Sequence, residues 1–290
     1  MHILETPIPA ELIEALEAHF AEEGLVCWGI EATPNGSTVL KGFFETVDDI
    51  APAREALTAI FPNLAFSQSE IPDRQWQDAY KAFLKPWSCG RLHWIPAWER
   101  DQRQLPAGHV ALYFDAGMAF GTGSHETTRL MARRLMEYRD AVGPDFTHRR
   151  VIDAGCGSGI LALSAALLGN TRSYGFDQDL EAIRVSEENR EGNGIPADRV
   201  SFAEAGIEGG LAGEQADLLL ANIQADVLMI HAEGIMAAVA AGGTLALSGI
   251  LAQELDTVQK HFHACVQDRA HEVDSRTDGE WSDLCYTFAS

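Results

Sequence analysis

The chain has 290 residues, of which 46% are hydrophobic and 22% are charged, and these proportions are typical of a soluble globular protein. Its 43 acidic residues outnumber its 21 basic residues, and the formal net charge of −22 argues against a naked nucleic acid as partner. No apolar run approaches the roughly 20 residues of a membrane span, and the N-terminus lacks the basic start of a signal peptide. The five cysteines are scattered without a C-x-x-C pair, which argues against zinc and disulfides and favours a reduced, cytoplasmic location.

Residues 1–70 are predicted to form a small α+β domain. Helical and strand-like patterns alternate in the order β-α-β-β-α-β, which resembles a ferredoxin-like unit. The successive segments are 3–4, 11–23, 25–32, 38–44, 48–61 and 64–69, with a Pro-Asn-Gly-Ser turn at 34–37. No catalytic constellation is visible in this domain, so we expect it to serve in recognition or as a scaffold.

A connector is predicted over residues 71–86. Three aromatic residues recur in it at helical spacing, and Pro86 would end the helix that they indicate. These residues are Trp76, Tyr80 and Phe83. The tryptophans that follow could form a docking surface for a peptide or, as we favour, a hydrophobic seam between modules. They are Trp87, Trp94 and Trp98.

Residues 87–290 are predicted to form one large α/β domain. Two strands, 91–96 and 109–114, are expected to pair ahead of it, and β and α patterns then alternate with short loops. This alternation predicts a doubly wound, mostly parallel sheet. The predicted strands are 151–153, 172–176, 200–202, 217–221 and 243–248, the predicted helices include 129–138, 225–240 and 251–263, and a terminal antiparallel hairpin joins 264–273 to 284–288.

The first strand of this sheet leads into a glycine-rich turn. Asp153 is followed by glycines at 155, 157 and 159 and by an Ala/Leu-rich run of helical length. The strand, glycine turn and helix bring backbone N–H groups close to a ligand. A dinucleotide loop would need a further glycine where Ile160 stands, which argues against NAD. Cys156 lies within the turn, and we interpret it as a packing residue because no base is evident beside it.

Two further polar residues are predicted at the ends of neighbouring strands. Asp177 follows the second strand about 20 residues beyond the glycines, where an acid can accept both ribose hydroxyls, although it could instead cap the next helix. Asn222 ends the fourth strand. Ligands of doubly wound sheets bind at the carboxyl ends of the strands. Gly155, Asp177 and Asn222 are therefore predicted at one rim.

The segment 115–128, DAGMAFGTGSHETT, precedes a predicted helix. Its glycines, hydroxyls and histidine suit a ligand clamp, and they suit equally a turn in which Thr122 or Ser124 caps the helix. His125 is a candidate proton acceptor, with a structural role as the favoured alternative. No metal site is predicted, because the histidines show no ligand spacing beyond His261-x-His263, expected on the solvent face of a helix.

The motifs GMAFGTGSHETT, VIDAGCGSGILAL, GFDQD, ANIQADVL and LSGIL, in this order, are similar to those of the bacterial methyltransferases of large-subunit ribosomal protein L11. The D-x-G-x-G-x-G pattern alone resembles the first motif of class I S-adenosylmethionine-dependent methyltransferases. The resemblance covers nearly the whole chain. It implies a seven-stranded class I methyltransferase sheet, S-adenosyl-L-methionine as cofactor, and methyl transfer to lysine side chains or the N-terminal α-amine of L11.

The resemblance also implies site residues. By motif position, the contacts to S-adenosylmethionine carry over to Thr128, Gly155, Asp177 and Asn222. We further expect the side-chain oxygen of Asn222 to accept a hydrogen bond from the amine and to orient it as the catalytic residue. The alternative is that Asn222 only fixes the loop after the fourth strand. The small domain would recognise the ribosomal protein, and the connector would let the catalytic domain reach several amines.

Three other functions remain open from the sequence. The chain could methylate lysines of a different protein, it could be an NAD-dependent oxidoreductase, or it could sense S-adenosylmethionine without catalysis. The expected partner is a basic ribosomal protein, which the negative charge of the chain would attract, although on its own this charge is better explained as keeping an acidic protein soluble. Neither a nucleic acid nor a membrane is expected as a direct partner.

Overall fold

The computed structural model divides the chain into two compact units, Met1–Ala82 and Phe83–Ser290. The residues that the structure describes are 2–9, 12–13, 16, 20, 28–32, 38–44, 47, 49–70, 85–115, 125–266, 269 and 271–289. The predicted connector helix at 71–84 and the glycine-rich segment 116–124 lie outside them, so the division into domains 1–70, 71–86 and 87–290 remains a prediction. Within the described part, no helix combines the length and apolarity needed to cross a bilayer.

The N-terminal unit contains a four-stranded antiparallel sheet with the strand order β2-β3-β1-β4. Its elements are β1 (His2–Ile8), β2 (Trp28–Ala32), β3 (Thr38–Phe44), α1 (Ile50–Ile60) and β4 (Ser67–Glu70). Leu4, Leu40 and Leu57 are fully or almost fully buried in its core. The order confirms the ferredoxin-like arrangement. The predicted helix 11–23 lies largely outside the described residues, although Leu16 within it is buried.

The second unit is built on a seven-stranded sheet with the order β10-β9-β8-β11-β12-β14-β13. Its strands are β8 (Val151–Ala154), β9 (Ser173–Asp177), β10 (Val200–Glu204), β11 (Ala216–Asn222), β12 (Val239–Leu251), β13 (His271–Asp278) and β14 (Trp281–Phe288). The first five in the order pair in parallel, and β14 pairs antiparallel with β12 and β13. This confirms the predicted doubly wound, mostly parallel seven-stranded sheet with a terminal hairpin.

Helices cover this sheet, and a small separate sheet precedes it. The helices are α2 (Glu126–Val142), α3 (Ile160–Leu167), α4 (Leu180–Gly192), α5 (Ile207–Leu211), α6 (Ala225–Ile230), α7 (Ala232–Ala237) and α8 (Leu255–Cys265), with 3₁₀ turns at Ala97–Gln102 and Gly143–His148. The small sheet consists of β5 (Trp87–Cys89), β6 (Leu92–Pro96) and β7 (Val110–Phe114). Central strands such as β11 are covered on both faces, which explains its unbroken apolar run. His261 and His263 both lie exposed on α8.

The tryptophan-rich stretch is structural at its centre. The Trp94 ring is buried on β6, and its indole N–H donates to the Ser164 hydroxyl on α3 over 2.8 Å. The Trp87 ring lies 4.9 Å from that of Trp94. These contacts fasten the small sheet to the helix that follows the glycine turn, within the second unit, and the predicted seam between modules stays a prediction. Trp98 is more exposed.

The predicted helix 225–240 is wrong as one element. The structure has two short helices that meet at His231, whose backbone leaves helical geometry, and β12 begins already at Val239. Alanine favours helix, so propensity does not indicate this boundary, and the pairing of Val239 with Ala216 on β11 sets where β12 begins. For the same reason Leu251 belongs to β12, and α8 starts at Leu255 rather than at the predicted residue 251.

Asn170 holds the amino ends of two central strands together. It is fully buried, and its amide nitrogen donates to the carbonyls of Phe146 and Arg149 over 2.7 and 2.8 Å. Its amide oxygen accepts from the Arg172 backbone N–H and the Ser173 hydroxyl, both over 2.8 Å. One side chain therefore satisfies four backbone or side-chain groups, of which the Phe146 carbonyl and the Ser173 hydroxyl lie in fully buried contacts.

We predict that Asn170→Ala lowers the free energy of unfolding by about 2–4 kcal/mol, because several buried polar groups lose their partner together. Gln215→Ala is the control, since the exposed Gln215 amide also donates to two carbonyls, and it should cost less than about 0.5 kcal/mol. Urea denaturation of both variants and the wild type measures the difference. Equal losses for the two variants would contradict the assignment.

Candidate functional site

The carboxyl ends of β8, β9 and β11 meet at one edge of the sheet. Ala154, the last residue of β8, is paired with Phe176 on β9 and with Ala221 on β11. The residues that follow these three positions are Gly155, Asp177 and Asn222. The structure therefore brings the three predicted rim residues together.

The turn after β8 requires glycine at its first position. Gly155 has a φ of +69°, and a Cβ atom built on it would lie 2.4 Å from Cγ2 of Ile223. The backbone N–H groups of Gly155 and Cys156 both donate to the Phe176 carbonyl over 2.9 Å. A larger residue at 155 would therefore push this turn away from both neighbouring strands.

Asp177 fixes the same turn from the second strand. Its Oδ2 atom accepts from the Gly157 backbone N–H over 3.0 Å, and its Oδ1 atom accepts from the Asp179 N–H over 3.0 Å. A carboxylate has about four lone-pair sites, so each oxygen retains one for a ligand hydroxyl. The alternative that Asp177 caps the next helix is wrong, because Asp179 caps α4 by accepting from the Glu181 N–H.

Asn222 joins the third strand end to helix α2. Its amide nitrogen donates to the hydroxyl of Thr128 over 3.3 Å, and Thr128 is buried in the first turn of that helix. The Oδ1 atom of Asn222 is buried and has no hydrogen-bond partner among the described residues. A buried acceptor without a donor costs about 1–3 kcal/mol, so this oxygen is poised for a donor on a ligand.

These residues border a cleft of about 460 Å³. It is lined by His125, Thr127, Gly155, Gly157, Asp177, Gln178, Asn222, Ile223, Gln224, Val227, Gly249 and Trp281. An adjoining cleft of about 390 Å³ shares Gly155 and Asp177 and extends to Gly206 and Ile207. Three of the four predicted contact residues line the first cleft, whereas Thr128 reaches it only through Asn222. Both volumes are in the range of small-molecule sites, roughly 300–1,000 Å³.

His125 begins helix α2 and faces the cleft. Its Nδ1 atom lies 3.4 Å from the Thr127 backbone N–H that it accepts and 2.8 Å from the Thr127 hydroxyl oxygen. The cap of α2 is therefore His125, and Thr122 and Ser124, the caps considered from the sequence, fall outside the described residues. The capping role favours the structural alternative for His125. The glycine-rich clamp proposed for 116–124 falls on the same undescribed segment.

Sequence reasoning assigned no site role to two residues that line the cleft, Gly249 of the LSGIL motif and Trp281. Gly249 has a φ of +84° and passes so close to Ile223 that a Cβ atom would lie 2.2 Å from its carbonyl oxygen. Trp281 is paired with Leu251, and its ring lies 5.0 Å from that of His125. Because β14 runs antiparallel to β12, its amino end reaches the rim formed by the carboxyl ends of the other strands. The predicted antiparallel direction of the C-terminal hairpin could therefore have indicated that Trp281 lies at this rim.

A second carboxyl group lies beneath the glycine turn. Asp153 is 1% exposed, and its Oδ2 atom accepts from the Ala162 backbone N–H over 3.1 Å. Burial raises the pKa of Asp153 to about 7, the Ala162 hydrogen bond opposes this rise, and the charge of Asp177 adds to it. Burial also raises the pKa of the Cys156 thiol well above its usual range, which supports its interpretation as a packing residue.

The chain is similar in sequence to one protein family over most of its length. The family model described as ribosomal protein L11 methyltransferase (PrmA) matches residues 11–288. A ribosomal protein L11 methyltransferase of Pseudomonas paraeruginosa is 39% identical over 67% of this chain, and the match spans 63% of that protein's length, less than two thirds. A relative of the same name from Pelobacter propionicus is 34% identical, with 98% of this chain and 96% of that protein aligned.

Among solved structures, a crystal structure of a ribosomal protein L11 methylase from Lactobacillus delbrueckii subsp. bulgaricus superimposes with a TM-score of 0.59. It is 25% identical in sequence, and the superposition covers 70% of this chain and 97% of that one.

The buried Asp153 carboxyl leads to a testable pH dependence. Its pKa of about 7 in the folded chain compares with about 4 for an unfolded carboxyl. The folded state therefore holds the Asp153 proton more tightly than the unfolded state does. The stability that this protonated carboxyl contributes is present below about pH 4 and is lost as the pH rises to about 7, by roughly 1.4 kcal/mol per pH unit. Asp153→Asn removes this titration and keeps an acceptor for Ala162. We expect the variant to gain stability relative to wild type between about pH 5 and pH 8.

Urea denaturation of Asp153→Asn and of the wild type at about pH 5 and at about pH 8 tests this pH dependence. The exposed Asp198→Asn variant is the control and should follow the wild type. A constant difference in stability between Asp153→Asn and wild type at both pH values would refute the prediction.

Proposed function

Because the chain belongs to the ribosomal protein L11 methyltransferase family, we propose that it transfers methyl groups from S-adenosylmethionine to amines of ribosomal protein L11. The amines are lysine side chains, the N-terminal α-amine, or both. The observation that carries the proposal is the buried, unpartnered Oδ1 atom of Asn222, which borders the same cleft as Gly155 and Asp177. The protein would act in the cytoplasm, where its substrate is made.

The residues present fit S-adenosylmethionine. The two adjoining clefts provide room for a nucleoside and an amino-acid tail. The Asp177 carboxylate keeps lone pairs for the two ribose hydroxyls, and the glycine turn at 155 lets a ligand approach the backbone closely. In this arrangement Gly155 and Asp177 hold the cofactor, whereas Thr128 and Asn222 close the site from the neighbouring strand and helix.

Bound S-adenosylmethionine would supply a methyl group activated by its positive sulfur. The side chains of this protein then have two tasks. The cleft must favour a neutral amine, although a free lysine has a pKa near 10.4, and burial in the cleft disfavours the ammonium form. The Oδ1 atom of Asn222 accepts an N–H of the amine and thereby directs the nitrogen lone pair. Alignment of this kind supplies much of the rate without an acid or a metal.

We assign His125 to holding the start of α2 rather than to proton transfer. Its Nδ1 atom is already engaged by Thr127, and the Asn222 oxygen can orient a neutral amine without it. Thr128 supports Asn222 by accepting from its amide nitrogen, which leaves Oδ1 as the free end.

The charge of the chain supports a basic substrate. A formal net charge of −22 would attract a lysine-rich ribosomal protein over long range. We assign recognition of the ribosomal protein to the small domain, residues 1–70, and catalysis to residues 87–290, with 71–86 as connector. No direct contact with nucleic acid or membrane is part of the proposal.

Incubation of the purified chain with L11 and methyl-labelled S-adenosylmethionine tests the proposal, with mass spectrometry of L11 as readout. We expect L11 to gain whole methyl groups on lysines or on its N-terminus. Labelling of another protein in extracts of a strain that lacks this gene, with L11 unlabelled, would favour a different protein substrate. Calorimetric binding of NAD in place of S-adenosylmethionine would indicate an oxidoreductase, and cofactor binding without labelling of any protein would indicate a sensor.

Asn222→Ala should lower kcat for methyl transfer by about 100-fold, because the amine loses the group that orients it. Cofactor affinity, measured by calorimetry, should change much less, since Gly155 and Asp177 remain in place. Gln224→Ala is the control, because Gln224 carries an exposed amide on the same cleft, and its kcat should stay within about threefold. Retained cofactor binding with unchanged methyl transfer in Asn222→Ala would rule out the orienting role.

Asp177→Asn should raise the Kd of S-adenosylmethionine and of S-adenosylhomocysteine by about 10- to 100-fold, because one acceptor of the ribose hydroxyls is lost. Asp179→Asn is the matched control. It removes the same charge two residues away and keeps the cap of α4, so its Kd should stay within about threefold. Equal effects of the two substitutions would mean that Asp177 acts only through charge.

A further inference from the structure

A buried ion pair joins helix α2 to strand β14 close to the cleft. The Arg134 guanidinium donates to Asp283 in a fork, with Nε to Oδ2 at 2.8 Å and Nη2 to Oδ1 at 2.6 Å. The two side chains are 5% and 0% exposed. Asp283 also accepts from the Arg276 backbone N–H over 2.9 Å, and the third guanidinium nitrogen of Arg134 contacts Asp274 over 2.6 Å.

Neither partner lines the cleft, but each shares an element with residues that do. Helix α2 carries His125, Thr127 and Thr128 in and before its first turn. Strand β14 starts with Trp281, two residues before Asp283. Residues two apart on a strand project from the same face, so Trp281 and Asp283 both face α2. Trp281 meets His125 within the cleft, and Asp283 meets Arg134 beyond it.

We propose that the Arg134–Asp283 pair is a positioning device for methyl transfer, which sets helix α2 against strand β14 and so places the Thr128–Asn222 contact and the His125–Trp281 wall. This inference rests on the proposed function. The pair acts through these residues and touches neither cofactor nor substrate. The side of the cleft that it fixes is the one we assign to the amine, whereas Gly155 and Asp177 belong to β8 and β9 on the other side.

The form of the pair favours positioning over stabilisation. Removing two charges from water largely offsets their attraction, so a buried ion pair adds little net stability and its best-attested use is to fix register. A bidentate arginine–carboxylate pair also fixes orientation, which a single contact does not. Burial alone would lower the pKa of Arg134, but the hydrogen bonds to Asp283 and Asp274 raise it above its usual value. The fork therefore stays charged.

The double variant Arg134→Met/Asp283→Asn tests the inference. Methionine fills the volume of the arginine stem, and the asparagine oxygen still accepts from the Arg276 N–H. Assayed well below its unfolding midpoint with L11 and labelled S-adenosylmethionine, the variant should lose at least about tenfold in kcat, because small misplacements of reacting groups are costly. The cofactor Kd, measured by calorimetry, should stay within about threefold, because the glycine turn and Asp177 are untouched.

A second bidentate pair provides the matched control. Arg150 donates to Glu214 over 2.8 and 2.6 Å, but Arg150 precedes β8 at the amino edge of the sheet, opposite to the cleft. Arg150→Met/Glu214→Gln should therefore keep the wild-type kcat. Equal losses in both double variants would attribute the effect to general stability and overturn the inference.

Arg134→Lys separates charge from orientation and decides the case where the double variant fails to fold. Lysine keeps the positive charge but not the fork, so we expect kcat to fall about tenfold without a matching change in cofactor Kd. Wild-type kcat in Arg134→Lys, or in the folded double variant, would overturn the positioning role while leaving the proposed function intact. A wild-type chain that does not methylate L11 would instead overturn the proposed function.

Discussion

The close approach of the glycine turn to the two neighbouring strand ends is the constraint on which the cleft depends. A side chain at position 155 would collide with Ile223 after β11, and the turn is held to β9 by the Phe176 carbonyl and by the Asp177 carboxylate. Gly249 on β12 also lies against Ile223, where a side chain at position 249 would collide with the Ile223 backbone. Gly155 and Gly249 thus let the ends of β8, β9 and β11 approach one another closely. The Asp177 carboxylate on β9 and the Asn222 amide on β11 then border the same cleft.

The features of the fold and the cleft that depend on neighbouring residues could be predicted from the sequence, whereas contacts between residues far apart in the chain could not. The glycine turn, Asp177 and Asn222 were predictable because each follows an apolar strand, and the parallel arrangement of the strands then places them at one rim. The run 225–240 was predicted wrongly as one helix, because its helix-favouring composition hides both the break at His231 and the pairing of Val239 with β11 that starts β12. Arg134 and Asp283 are 149 residues apart, so no local pattern could indicate their contact. Trp281 required the direction of β14 to be known first.

Helix α2 links the Asn222 side of the cleft to the C-terminal hairpin. Its first turn is fixed by the His125 cap and by the contact of Thr128 with Asn222, and its middle by the fork to Asp283. Exposed pairs such as Arg133 with Asp278 lie along the same junction, but pairs in water contribute little. In the proposed positioning role, the buried fork adds a fixed orientation to the packing of the apolar residues of α2, so that the helix presents Thr127 to the cleft and Thr128 to Asn222 in one register.

Three kinds of buried polar side chain lie near the sheet: a carboxyl with a raised pKa, a charged pair, and an amide with an unpartnered oxygen. The first two are satisfied within the fold, whereas the third borders the cleft. Asp153 has a pKa raised to about 7 by burial, so it carries its proton in the folded chain at pH values where an exposed carboxyl is ionised. Arg134 and Asp283 remain charged because each satisfies the other. Asn222 Oδ1 is, in the described part of the chain, the one buried side-chain acceptor without a donor, since the other unpartnered atoms are arginine nitrogens. This oxygen borders the cleft, and under the proposed function an N–H of the substrate amine would be the donor that it lacks among the described residues.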